Sequence, residues 1–182
     1  MGQDIEGFYS PASGPEAPLE MLSACHARVE RQCRTLRRLV PHLARVGCDD
    51  EALLAAGAVV RYFDVAAVHH HEDEEHDLFP ALIESMAASD AHCLHDLTRA
   101  LAAEHRALEA RWHDLRAALL ALGREPGATL DAAQVEAFAT AYEAHIAREE
   151  QELLPMAARL LDDAAIARVG RAMRERRGID EV

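Results

Sequence analysis

Residues 70–80 read HHEDEEHDLFP and residues 145–155 read HIAREEQELLP, two copies of H-x-x-x-E-E-x-x-L-[FL]-P set 75 positions apart. In each copy a histidine and a glutamate stand four residues apart. On an α-helix such a pair shares one face, about 6 Å apart along the axis, and both side chains can reach one metal centre. The chain holds seven His-x3-acid pairs among its 11 histidines, where its acid content predicts about two by chance. Four of them begin at His26, His70, His105 and His145, with Glu30, Glu74, Glu109 and Glu149 as their partners.

Those four histidines each lie on an apolar seam. Leu19, Leu22, His26, Val29, Cys33, Leu36, Val40 and Leu43 recur at three- and four-residue steps, one face of a helix. Ala56, Val59 (or Val60), Phe63, Ala67, His70 and Glu74 form a second seam, which Pro80 kinks or ends. Leu97, Leu101, His105, Leu108, Trp112, Leu115 and Leu119 form a third, and Val135, Phe138, Tyr142, His145, Glu149, Leu153 and Met156 a fourth. Gly47–Asp50, Ala87–Asp90 and Gly123–Gly127 separate them, with Asp131 and Gln134 as a capping pair for the fourth. The expected fold is all-α: an antiparallel up-down-up-down four-helix bundle over residues 18–160. A coil arm over 1–17, rich in Gly and Pro, precedes it, and 161–182 holds a short helix over Asp163–Arg177 and a tail. A core histidine costs desolvation unless its nitrogens find partners, so four of them on four facing seams point to a shared centre.

Composition narrows the function. The chain has 182 residues, half of them hydrophobic, and can bury a core unaided. Its formal charge of −13 repels phosphate backbones and anionic lipids, so neither nucleic acid nor membrane is an expected partner. The basic runs RQCRTLRR and RAMRERR read as solvated helix faces. Cys25, Cys33, Cys48 and Cys93 form no C-x-x-C pair and read as reduced, buried thiols. The opening MGQDIEGFYS has no basic segment ahead of an apolar stretch, and Glu6 stands where a myristoylation motif needs Ser or Thr; a cytoplasmic location is expected. A ferritin-like oxidase needs Glu-x-x-His on two helices, and the near miss here is Asp73-x-x-His76. Cys25-His26 and His92-Cys93-x-His95 lack the spacing of a zinc site.

With its doubled motif and its paired earlier histidines, the second in Glu104-His105, the chain resembles the hemerythrin family in its bacterial HHE cation-binding branch. The resemblance implies a bundle enclosing two non-haem iron ions, an Fe–O–Fe type centre. His26, His70, His105 and His145 would be terminal ligands, with Glu74 and Glu149 as carboxylate bridges. His70 aligns with His145 and continues the Phe63/Ala67 seam, so it is the ligand of the His69–His71 run. Glu104 and Tyr142 are expected around the ligands, Glu30 and Glu109 as hydrogen-bonding flank residues, and His69 and His71 either facing outward or standing around the ligands. The Tyr142 hydroxyl has two readings, one toward the site and one toward a backbone carbonyl. Oxygen-carrying relatives place two histidines four apart on the third helix, five in total. In this chain Leu101 stands four before His105 and Glu109 four after, which puts plain oxygen transport in doubt. The implied function is binding of, or reaction with, O2, NO or peroxide in oxidative or nitrosative stress or in iron supply. The alternative is an oxygen or metal sensor without turnover, and a structural bundle with fortuitous histidines ranks below both. Nitrogen and oxygen donors suit iron, zinc and manganese alike.

Overall fold

A computed structural model describes residues 17–86 and 91–179. Among these every regular element is helical. Helix α1, Pro18–Val46, opens with Pro18 at a position where a missing N–H costs nothing. It closes on Gly47, whose φ of 91° lies in the region only glycine enters freely, with the Gly47 N–H on the Leu43 carbonyl at 3.0 Å. Asp49 then caps α2, Asp50–Ser85, by accepting from the Ala52 N–H at 2.9 Å. Helix α3 is Ala91–Leu122. Asp131 caps α4, residues 132–160, through the Ala133 N–H, and Asp162 caps α5, Asp163–Arg176, through the Ala165 N–H.

Residue pairs set the directions of the four long helices. Tyr62 in α2 donates its hydroxyl to the Cys25 carbonyl in α1, while His42 near the end of α1 bonds Asp49 at the start of α2. Glu75 meets His105 and Asp64 meets Trp112 and Arg116, so α2 and α3 run antiparallel. Arg37 engages Glu136 and Glu143, while His26 meets Glu149, so α1 and α4 do the same. Each long helix thus packs on its two neighbours around a ring. Pro80 does not end α2, contrary to one of the two expectations: the helix widens into a π-turn over Asp73–Leu78 and resumes at Phe79. The second copy of the motif behaves alike, with a π-turn over Glu149–Leu153 ahead of Pro155. A further π-turn spans Tyr62–Ala66. Wider turns relieve the carbonyl clash that a proline imposes one turn back.

The seams are buried and divide the interior in two. One cluster holds Val29, Ala67, Leu108 and Tyr142; the other holds Leu22, Leu78, Leu101 and Leu153. On every long helix, the seam histidine falls between a residue of one cluster and a residue of the other, so the polar groups form a single layer across the bundle. Helix α5 packs on the π-turned part of α2 and on α1. The basic run it carries is not simply solvated: Arg176 and Arg177 both grip Asp73, which is fully buried, with Arg177 Nη1 3.0 Å from Asp73 Oδ1. Of the four cysteines, Cys25 and Cys33 are buried as expected, but Cys48 and Cys93 are exposed, because Cys48 sits in the turn before α2 and Cys93 in the first turn of α3, neither on a seam. Among the described residues α2 is the one helix long and apolar enough on average to cross a bilayer, yet it carries His70 and Glu74 into the core. The expected arm over 1–17 lies, except for Ala17, outside the described residues, as do the Ala87–Asp90 cap and the last three residues of the tail.

Candidate metal centre

The polar layer brings together His26, His70, Glu74, His105, His145 and Glu149, each no more than 3% exposed. The six form two overlapping groups. His26 and His70 share Glu74 and Glu149 with His105 and His145, and within each group one ligand atom per residue lies within 4.8 Å of the others. Each carboxylate turns one oxygen to each histidine pair. Glu74 Oε1 is 3.7 Å from His70 Nε2, and its Oε2 is 3.3 Å from His105 Nε2. Glu149 Oε2 is 3.1 Å from His26 Nε2, and its Oε1 is 3.0 Å from His145 Nε2. The ring pairs are edge-to-face, 4.8 Å apart for His26/His70 and 4.7 Å for His105/His145.

The other nitrogen of three of these rings is held by a carboxylate. His26 Nδ1 lies 2.6 Å from Glu150, His105 Nδ1 2.8 Å from Glu75, and His145 Nδ1 2.8 Å from Glu104. A carboxylate on Nδ1 keeps the proton there, fixes the ring and leaves the Nε2 lone pair facing inward. His105 Nε2 stands 3.1 Å from His145 Nε2, close enough for one cation to take both rings. All four carboxylate oxygens of Glu74 and Glu149, together with His26 Nε2 and His70 Nδ1, are buried without a hydrogen bond. Leaving so many buried polar atoms unpaired is costly in a protein interior. Nitrogen and carboxylate oxygen donors arranged around two points fit two divalent or trivalent metal ions.

The charges respond to the crowding. Burial opposes protonation of His26, but Glu149 and Glu74 lift its pKa to about 9; at His105 burial is likewise outweighed by Glu149, Glu74 and Glu75, which lift it to about 10. His145 is raised as well, burial yielding to Glu149 and Glu104. Burial and the neighbouring histidines hold His70 and His71 neutral. Burial, reinforced by Glu149, pushes Glu74 up to about 7, whereas at Glu149 the close approach of His105, His145 and His26 overcomes burial and keeps it ionised.

The remaining expected residues fall into distinct places. Glu104 holds His145 and is itself held by Arg148 at 2.7 Å. Glu109 is exposed on the rim of a cleft that reaches the centre, and Glu30 pairs with Arg34 at 3.6 Å, away from the layer. Tyr142 is buried, lines that cleft and stacks over His71 at 6.2 Å. His71 itself lies against His105 with nearly parallel rings 3.9 Å apart. Glu75 and Glu150 were not singled out in the sequence reading. Their signal was present, since each is the second glutamate of its motif copy: in both copies the first glutamate bridges inward and the second clamps a histidine on a neighbouring helix.

The fold and site together define a helical-bundle protein with a buried His/Glu cation centre. Residues 17–157 match the hemerythrin HHE cation-binding domain, and the chain belongs to that family. An uncharacterized protein of Haemophilus influenzae is 34% identical over 164 residues, which span 90% of this chain and 92% of that protein.

Proposed function

We propose that the protein is a non-haem di-iron protein that binds or reacts with O2, NO or peroxide, in the response to oxidative or nitrosative stress or in iron supply. The observation that carries the reading is the division of Glu74 and Glu149, one oxygen of each toward either histidine pair. Carboxylates so divided hold two ions close enough to act on one small molecule. When bound, an iron pair supplies the electrons and open positions for that chemistry. His26, His70, His105 and His145 hold the ions from four helices, and Glu75, Glu104 and Glu150 keep three of those rings aimed.

The cleft selects what arrives. Phe63, Ala67, Val68 and Trp112 give it apolar walls, and it reaches His71 and His105 through a space of about 260 Å³, ample for a diatomic or for peroxide. Glu72, Glu75 and Glu109 on its lining outnumber Arg106, which favours neutral ligands over anions. Neutral O2, NO and hydrogen peroxide meet both conditions. The sensor reading is favoured by one contact: α5 grips Asp73, the residue beside Glu74, so a change at the centre has a direct route to the last helix. Anaerobic reduced protein mixed separately with O2, NO and peroxide tests the proposal. A rapid optical change with at least one of them is expected. Iron-loaded protein that stays spectroscopically silent with all three overturns it.

A further inference from the structure

We infer that His71 is a fifth histidine ligand, completing the His105/His145 side of the centre and making the two metal positions unequal; the inference rests on the di-metal reading above. Counting donors shows the need. His26 and His70 with one oxygen from each of Glu74 and Glu149 offer four donors to one ion, and His105 and His145 with the other two oxygens offer four to the second. His71, His105 and His145 form a further group whose ligand nitrogens all lie within 4.8 Å of one another, and no such group joins His71 to His26. His71 therefore adds a donor to one side alone.

One of its ring nitrogens is left without a partner in the protein. The Nε2 of His71 is buried and makes no hydrogen bond, in contrast to His105 and His145, whose Nδ1 atoms are both occupied. The ring lies flat on His105, 10° from parallel, and edge-on to His145 at 6.0 Å. A ring packed merely as filler at this position would be served by a leucine at less desolvation cost. Helix geometry explains how two successive residues both reach the centre: His70 and His71 point about 100° apart, so His70 aims at the α1 side and His71 at the α3 side. His71 also lines the cleft, beside His105. The His26/His70 ion keeps more open positions.

Cobalt(II) tests this without any assay of reactivity, because its visible spectrum reports the number and kind of donors. The full chain, stripped with chelator, is titrated as wild type, His71→Gly and His71→Gln, with helix content followed by circular dichroism. Wild type should take up two cobalt ions per chain. In both variants one of the two should bind at least about tenfold more weakly with altered bands, and imidazole added to His71→Gly should restore the wild-type spectrum. Should the glycine variant lose its helical signal, His71→Gln decides alone. Wild-type affinity and bands in the folded variants overturn the inference and leave the di-metal reading standing. Failure of the wild type to take up two ions overturns both.

Discussion

Removing Glu75 should loosen one metal ion and spare the other. Its Oε1 lies 2.8 Å from His105 Nδ1, and its side chain is 25% exposed, so water competes weakly for that proton. Losing the carboxylate that orients a metal-binding imidazole costs about 10- to 100-fold in metal affinity, or about 1.4–2.7 kcal/mol. Glu75→Ala frees the ring and removes the charge, so it belongs at the upper end. Glu75→Gln keeps an acceptor for the Nδ1–H and loses only the charge, so it belongs near tenfold. Glu150 does the same for His26 but is 39% exposed, so Glu150→Ala should cost less than Glu75→Ala and should weaken the opposite ion. Competition against a chromophoric chelator resolves the two ions. Wild-type affinity for both ions in Glu75→Ala would refute the reasoning, as would equal weakening of both.

Asp73→Asn should destabilise the protein by about 3–5 kcal/mol, because it removes the charge of the buried carboxylate that Arg176 and Arg177 both grip. At about 2–4 °C per kcal/mol for a chain of this size, the melting temperature should fall by about 6–20 °C, and a shift below about 2 °C would contradict the clamp. The metal-free protein should lose stability as pH rises from 7 to 10. His26, raised to about 9, and His105, raised to about 10, keep protons in the folded state that the unfolded chain releases near its ordinary value of 6.5. That stabilisation is full below 6.5 and is lost as pH rises through the folded values. Cys25 and Cys33, both raised chiefly by burial, act in the same direction at the upper end. Thermal melts across this range should show the decline in stripped protein and a flatter profile in loaded protein, whose histidines are already deprotonated. Tyr142→Phe should change the rate of reaction with peroxide at unchanged metal content, because Tyr142 lines the cleft beside His71 and His105, and an unchanged rate would show that its hydroxyl serves packing alone.

Much of the architecture was legible in the sequence. A histidine on each of four seams marked the polar layer, and the motif alignment chose His70 from three adjacent histidines, because both signals are local to one helix and repeat at its own period. The roles of Glu75, Glu150 and His71 depend instead on how helices are rotated against one another, which no single helix's periodicity reports. The π-turns at Asp73–Leu78 and Glu149–Leu153 were hidden for a related reason: Pro80 and Pro155 signal strain, but the same signal reads as a kink or an end. The grip of Arg176 and Arg177 on Asp73 joins residues more than 100 positions apart, and a basic run alone carries no sign of a distant buried acid.

The claim that two irons share Glu74 and Glu149 is tested most directly by iron content together with a Mössbauer spectrum of aerobically loaded protein, for the wild type and for the His70→Ala/His145→Ala double variant. The account predicts two irons per wild-type chain, giving the signal of one exchange-coupled diferric pair, and loss of both irons from the double variant. Isolated, uncoupled ferric sites in the wild type, or full iron content in the double variant, would contradict it.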